Sequence, residues 1–465
     1  MRTTFAAASL AVLGQAAGVK KAMVGTNIGG WQVLEPWITP SLFYRFLGKT
    51  HSEGVGMDSY TFCEALGPEE GNKVMRAHWD AWITEDHLKQ LSEREVELVR
   101  LPIGDWTLKP YGPYVGCMDG AKDKIQWLLD TAQKYNIKVL LDVHAVKGSQ
   151  NGYDNSGIAN RTEWLDENHF EHWSHALGEW MGKWDNDKGQ YEYIDIEGIN
   201  WAIDTIDGIL KEWGDHEAVY AIEPVNEPWW SSDLALLKGF YRSVHKMMKE
   251  RAPRLKFVFH DAFHYDADTW NNMFGDDEDF SNVIMDHHFY QAWYGAFDDN
   301  KDIGLYCDNY RDALGNAESI KYDIWIGEWS LATDVCALWL GGFNDNNTPY
   351  AFECEWVDCP KPYLPEDLAP DFDRTAPMLG PYGSNTLSTV QNGKCPRDST
   401  HFSEADVMRL GQCATYVMDD MVEGMIMWTF RNELEPRWNY IEAFDKGWIK
   451  RTNFPPAYSP MEFLN

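Results

Sequence analysis

"AIEPVNEPWW" (residues 221–230) and "DIWIGEWS" (residues 323–330) decide the fold. Each is a short apolar run that closes on a glutamate, Glu227 in the first and Glu328 in the second. Such runs predict buried parallel strands, and the carboxyl ends of those strands are where a (β/α) barrel keeps its functional groups. Working outward, comparable β-branched runs lie near 22–28, 96–101, 137–143, 218–225, 256–260, 282–288, 323–328 and 424–429. Between them, stretches such as 121–135, 196–213, 233–251 and 403–421 repeat apolar residues at spacings of three and four, the helical period. Eight strand–helix units predict an α/β fold, a closed (β/α)8 TIM barrel.

The 465 residues exceed a bare barrel, and the surplus falls after particular strands, at 30–90, 145–195 and 337–400. Loops after strand C-termini build the active face, so these insertions are expected to shape a cleft there. Residues 341–400, rich in Pro, Asn, Asp and Gly with three cysteines, read as a stapled loop, with a small appended module as the alternative. Residues 1–18, "MRTTFAAASLAVLGQAAG", have a basic start, a short apolar run and small residues at the end. That pattern predicts a secretory signal peptide cleaved near Gly18, too short for a membrane anchor, followed by one barrel domain over 19–465.

Eight cysteines, an even number, fit an oxidising compartment, although their pairing is not readable from spacing. Triplets Asn160-Arg161-Thr162 and Asn346-Asn347-Thr348 are candidate glycosylation sites. Together these features predict a secreted, extracellular protein, with cell-wall association an open extension. Cys354 and Cys359 lack histidines at zinc-finger spacing, and no metal or cofactor is expected. The formal charge of −33 would repel nucleic acid and anionic membranes, which leaves a neutral partner. The run Asp276-Asp277-Glu278-Asp279 reads as a solvated loop face. Twenty-three tryptophans supply core, and some supply flat apolar surfaces of the kind on which sugar rings stack.

Two strand-end carboxylates suit cleavage of a glycosidic bond, where one protonates the leaving oxygen and the other attacks the sugar or activates water. Side chains alternate along a strand, so Glu223, Val225 and Glu227 share a face; Glu227 comes last and reaches the open top, while Glu223 lies deeper. Asn226 offers an amide for a sugar hydroxyl, and Pro228 stiffens the turn. Arg100, at the end of "VELVR", supplies a counter-charge to Glu328 if its strand directs it inward, and Tyr290 a donor. His144 and His288 stand at two further strand ends and lack metalloprotease spacing.

Seven segments in order, "NIGGWQVLEPWITPSLF", "VRLPIGDW", "LLDVHAVKGSQNGYDNSG", "PVNEP", "DHHFYQ", "GEWS" and the tryptophan of "MIMWTF", span nearly the whole chain. In them the sequence resembles glycoside hydrolase family 5, and within it the fungal-type exo-β-1,3-glucanases. The resemblance implies Glu227 as acid/base and Glu328 as nucleophile of a retaining reaction. Around the reacting glucose it implies Arg100, His144, Asn226, His288, Tyr290 and Trp428, the last as floor. Glu35 and Asp154 would bind hydroxyls at the non-reducing end and close the cleft to a pocket, and Tyr153 and Trp293 would clamp the next sugar. Lys147, Arg431 and the 341–400 insertion depart from the family pattern.

The expectation is therefore a secreted, monomeric, retaining exo-β-1,3-glucanase that frees glucose from laminarin-like β-glucan. The alternatives are an endo-β-glucanase or a β-glucosidase for β-1,6, β-1,4 or glycolipid substrates, and, from another class, an inactive glucan-binding wall protein. Retention predicts carboxyls roughly 5–5.5 Å apart, against roughly 6.5–9.5 Å for inversion. The proton donor is expected to be raised by burial and by its anionic partner, giving an acidic, bell-shaped optimum.

Overall fold

The structure, a computed structural model, describes residues 22–160, 162–171, 178–185, 187–275, 278–293, 303–345, 354–370, 379–384, 394–397 and 402–450. The leader at 1–18, the Asn346 triplet and Asp276-Asp277 lie outside the described residues.

Eight parallel strands close a barrel: β1 (Met23–Asn27), β2 (Leu98–Gly104), β3 (Lys138–Ala145), β4 (Val219–Glu223), β5 (Lys256–His260), β6 (Val283–Phe289), β7 (Asp323–Trp329) and β8 (Gly424–Met427). Each pairs with the next in chain order, and β8 returns to β1 with Gly424 opposite Met23. All eight fall where the apolar runs placed them. The helices Ala121–Lys134, Ile196–Trp213, Leu234–Arg251 and Glu404–Met421 do too. The last three begin on side-chain caps: Asp195, Asp233 and Ser403 accept from the amides of Gly198, Ala235 and Asp406. Those amides have no partner within the helix, so the caps fix where each helix starts.

Alternation along the strands divides the barrel interior into layers. The lower layer is apolar: Leu98, Leu140, Ala221, Val258, Ile284, Trp325 and Ile426, one from each of β2–β8. Fully burying a leucine or isoleucine is worth roughly 1.5–3 kcal/mol, so this plug helps hold the barrel closed. Two residues further along, the inward positions are Arg100, Asp142, Glu223, His260 and Asp286, all fully buried. Charge there is tolerable only if it is paired.

On β7 the alternation breaks. Trp325 faces inward, so strict parity would next turn Gly327 inward and Glu328 outward. Instead the register with β6 shifts, His287 facing Ile326 and His288 facing Glu328, a bulge that leaves Gly327 as the extra residue. Gly327 fits because the Asp286 carboxylate lies where a β-carbon would be, and its amide donates to Asp286 Oδ1 at 2.7 Å. A bulge re-aims the following side chain. Here it turns Glu328 into the barrel.

The eight cysteines pair as Cys63–Cys117, Cys307–Cys413, Cys336–Cys354 and Cys359–Cys395. The last two staple the insertion after β7. Its described parts also pair Glu355–Asp358 with Lys394–Arg397, and Tyr382–Gly383 with the loop after β3. Among the described residues no helix is long and apolar enough to cross a membrane.

Candidate active site

Arg100, fully buried, organises the upper end of the barrel. Its Nε donates to Glu223 Oε2 at 2.9 Å, and Nη1 to Asn27 Oδ1 at 3.0 Å and Glu328 Oε1 at 2.8 Å. Nη2 donates to Asn226 Oδ1 at 2.7 Å and lies 3.1 Å from Asp142 Oδ2. A planar guanidinium holds several acceptors at fixed angles, which an ammonium does not. Burial works against the Arg100 charge, but Asp142, Glu223, Glu328 and Asp286 outweigh it and hold the pKa well above the usual value.

Glu328 takes a second donor from Tyr290, whose hydroxyl lies 2.6 Å from Oε2. Burial and the Glu328 charge push the Tyr290 pKa up, so it remains a phenol that donates. Strand 2 directs Arg100 inward, and Tyr290 reaches the carboxylate.

Glu227 is aimed differently. Strand β4 ends at Glu223, so parity does not carry to Glu227, which stands on the following turn with φ +42°. That left-handed conformation is uncommon for a non-glycine residue and persists where neighbours enforce it. Asn226 N donates to Val143 O at 3.0 Å and Trp229 N to Gln150 O at 3.2 Å, pinning the turn on both sides. The side chain meets His288 Nδ1 at 2.8 Å and Asn155 Nδ2 at 3.3 Å.

One imidazole nitrogen spans the two glutamates: His288 Nδ1 is also 3.5 Å from Glu328 Oε2. The nearest oxygens of the two acids are therefore closer than the roughly 6.5 Å at which inverting pairs begin. Burial disfavours charge on His288, but Glu328, Asp286 and Glu227 outweigh it and push its pKa well up. His288 is thus an imidazolium, with Asp286 Oδ2 3.4 Å from its other nitrogen.

This imidazolium reverses an expectation. Burial pushes Glu227 up, but the hydrogen bond and charge of His288, joined by His144 and Arg100, hold it below the usual carboxylate range. For Glu328 burial prevails over His288 and Arg100, and the Glu227 charge adds to it, so its pKa is raised. The acid expected to be raised is the one lowered, because sequence does not reveal which carboxylate the histidine touches.

His144 Nδ1 donates to Asp142 Oδ2 at 2.6 Å, and the ring stacks flat on Trp428, ring centroids 5.3 Å apart. Its other nitrogen is 3.4 Å from Asn226 Nδ2. Glu35 is buried, with Oε2 accepting from Trp37 Nε1 at 3.1 Å and Oε1 without a hydrogen-bond partner. Burial, then the Asp154 charge, with smaller parts from Glu328 and Glu227, raises it well above its usual value. Asp154 is pushed up to about 7 by burial, and its Oδ2 likewise has no partner. Buried Glu35 and partly buried Asp154, each with an oxygen that lacks a partner, are arranged to receive hydroxyl donors. Tyr153 packs on Trp229, and Trp293, half-exposed, packs on Tyr290 and Trp438. Lys147 turns away to Trp201 and Tyr111, its ammonium 4.9 and 5.5 Å from the ring centres, and Arg431 stacks on Trp82.

Two sets of donors, Glu227 with His260 and His288, and Glu223 with Asp286 and His288, have ligand atoms within 4.8 Å of one another. Both need His288, whose Nδ1 is already engaged by Glu227 at 2.8 Å. Sequence reasoning missed Asn27, Asp142, Asp286 and Asn155. Asp142 and Asp286 were findable, since each lies two residues before a named histidine on the same strand face.

Residues 63–352 match the family model described as cellulase, glycosyl hydrolase family 5. A glucan 1,3-beta-glucosidase of Yarrowia lipolytica is 34% identical over 95% of this chain and 90% of its own length. Another, from Blumeria graminis, is 30% identical over 90% of this chain and 84% of its own. The crystal structure of a rutinosidase from Aspergillus niger shares the fold, with a TM-score of 0.57 at 15% identity, covering 92% of this chain and 98% of that one.

Proposed function

The chain belongs to glycosyl hydrolase family 5, and from that premise we propose that it is a secreted, retaining exo-β-1,3-glucanase that releases glucose from the non-reducing end of β-glucan. The observation that carries the mechanism is the single His288 nitrogen within 2.8 Å of Glu227 and 3.5 Å of Glu328. Acids bridged by one nitrogen fall short of the separation at which inverting pairs admit a water, which supports attack by the second acid itself.

In this reading Glu328 attacks the anomeric carbon while Glu227 gives its proton to the departing oxygen. Arg100 and Tyr290 bind both oxygens of Glu328 and fix its line of attack. Once Glu328 is esterified, Glu227 takes a proton from water, and that water displaces Glu328 with a second inversion. Productive attack needs a proton on Glu227 and none on Glu328, whereas the resting site favours the reverse. Between the two apparent pKa values the pair shares one proton, and kcat/KM is bell-shaped whichever acid holds it longer.

The exo mode rests on Glu35 and Asp154. Their unpartnered oxygens, Oε1 and Oδ2, would accept hydroxyls of a terminal glucose and leave no path for further sugars beyond it. The names of the relatives support the β-1,3 linkage, and four disulfides support an extracellular setting. Time-resolved product analysis on laminarin tests the whole reading. Glucose alone, appearing first as the β-anomer, is expected; a ladder of oligomers, or α-glucose first, contradicts it.

A further inference from the structure

Past Glu227 the chain reads Pro228-Trp229-Trp230, and the second indole is 57% exposed. An indole left in water forgoes much of its burial energy. Its backbone is nevertheless fixed: Ser232 N donates to Trp229 O at 2.8 Å, and His264 Nε2 meets Trp230 O at 2.9 Å. Trp229 is half-buried between two rings, Tyr153 at 5.3 Å and Phe263 at 5.7 Å.

Phe263 is also presented outward, 41% exposed. It follows Ala262, and both have positive φ, +49° and +60°, a conformation that few non-glycine residues adopt. Ala262 N donates to His260 Nδ1 at 3.0 Å and Phe263 N to Asp261 Oδ1 at 2.9 Å, and these hydrogen bonds hold that turn. The Phe263 ring also touches His260, which packs edge-on against His288, the partner of Glu227. The aromatic surface is thus linked through His260 and His288 to the acid that would protonate the leaving group, and through Trp229 to Tyr153.

We propose that Trp229, Trp230 and Phe263 form a stacking platform for the leaving part of a glucan chain, beyond the first sugar past the bond that is cut. This rests on the glucanase reading of the site and deepens it by adding a preference for chain length. Pyranose faces are apolar and rims polar, so a rigid, pre-exposed ring binds them with little loss of side-chain entropy. The contact is the same before and during reaction, so its loss appears in KM rather than kcat.

The test compares kcat/KM on laminarin with kcat/KM on an aryl β-glucoside, whose leaving group stops short of the platform. Trp230→Ala is expected to lower the ratio of the two about tenfold, chiefly through KM on laminarin, the loss of one stacking contact. Trp230→Phe should restore most of it, and Trp356→Ala, an exposed indole in the loop after β7, should leave the ratio at the wild-type value. An unchanged ratio in Trp230→Ala, or an equal fall in Trp356→Ala, overturns the platform alone. A wild type that cuts the aryl glucoside but no β-glucan contradicts the functional reading itself and, with it, the occupant named here.

Discussion

The apolar layer from Leu98 to Ile426 and the charged layer around Arg100 lie one side-chain step apart on the same strands, yet they hold together by opposite physics. The lower layer needs only volume and burial. The upper layer places Asp142, Glu223, Asp286 and Glu328 out of water and depends on Arg100 and on the raised His288 to offset them. Even so, burial and the Asp286 and Asp142 charges push Glu223 well up against the pull of Arg100. The lesson is a division of labour: the plug gives the barrel its stability, and that stability supports a polar layer that would not form alone.

Substitutions in the two layers should therefore separate activity from stability. Glu328→Gln carries the largest expected effect, a fall in kcat of roughly 10⁴-fold with little change in melting temperature, because it removes the attacking oxygen and keeps the shape. Near-native turnover would remove Glu328 from the mechanism. Arg100→Met should cost about 3–5 kcal/mol in denaturant unfolding and abolish activity, since it leaves buried carboxylates without their partner. If that variant unfolds at the wild-type midpoint, the upper layer is not organised by Arg100.

Ile284→Ala in the plug should cost about 2–5 kcal/mol by the same measurement while kcat stays within a few-fold of wild type. A loss of kcat as large as that of Glu328→Gln would erase the distinction between the layers. The smallest effect is a shift rather than a loss. His288 lowers both glutamates, so His288→Asn should move both limbs of the pH profile of kcat/KM to higher pH. A profile whose limbs stay in place would show that the histidine does not set these values.

The plug and most of the barrel were legible in the sequence because buried parallel strands announce themselves as apolar runs. The twelve candidate site residues came mostly through the resemblance, since strand ends and the loops after them carry its motifs. Three features were not. Glu328 faces inward only because Gly327 is bulged against Asp286, a contact between two strands. Glu227 is aimed by a turn with positive φ rather than by strand parity. The inverted titration of the two acids follows from where the His288 ring points, and no spacing along the chain encodes a rotamer.

The central claim is that Glu328 forms a bond to the sugar. A 2-fluoro-β-glucoside with a good leaving group slows both steps, and its leaving group speeds the first, so a covalent intermediate accumulates. Mass spectrometry of the intact protein should show one added fluoroglucosyl group, and peptide mapping should place it on Glu328. A label on another residue, or full inhibition without any covalent adduct, would contradict the account.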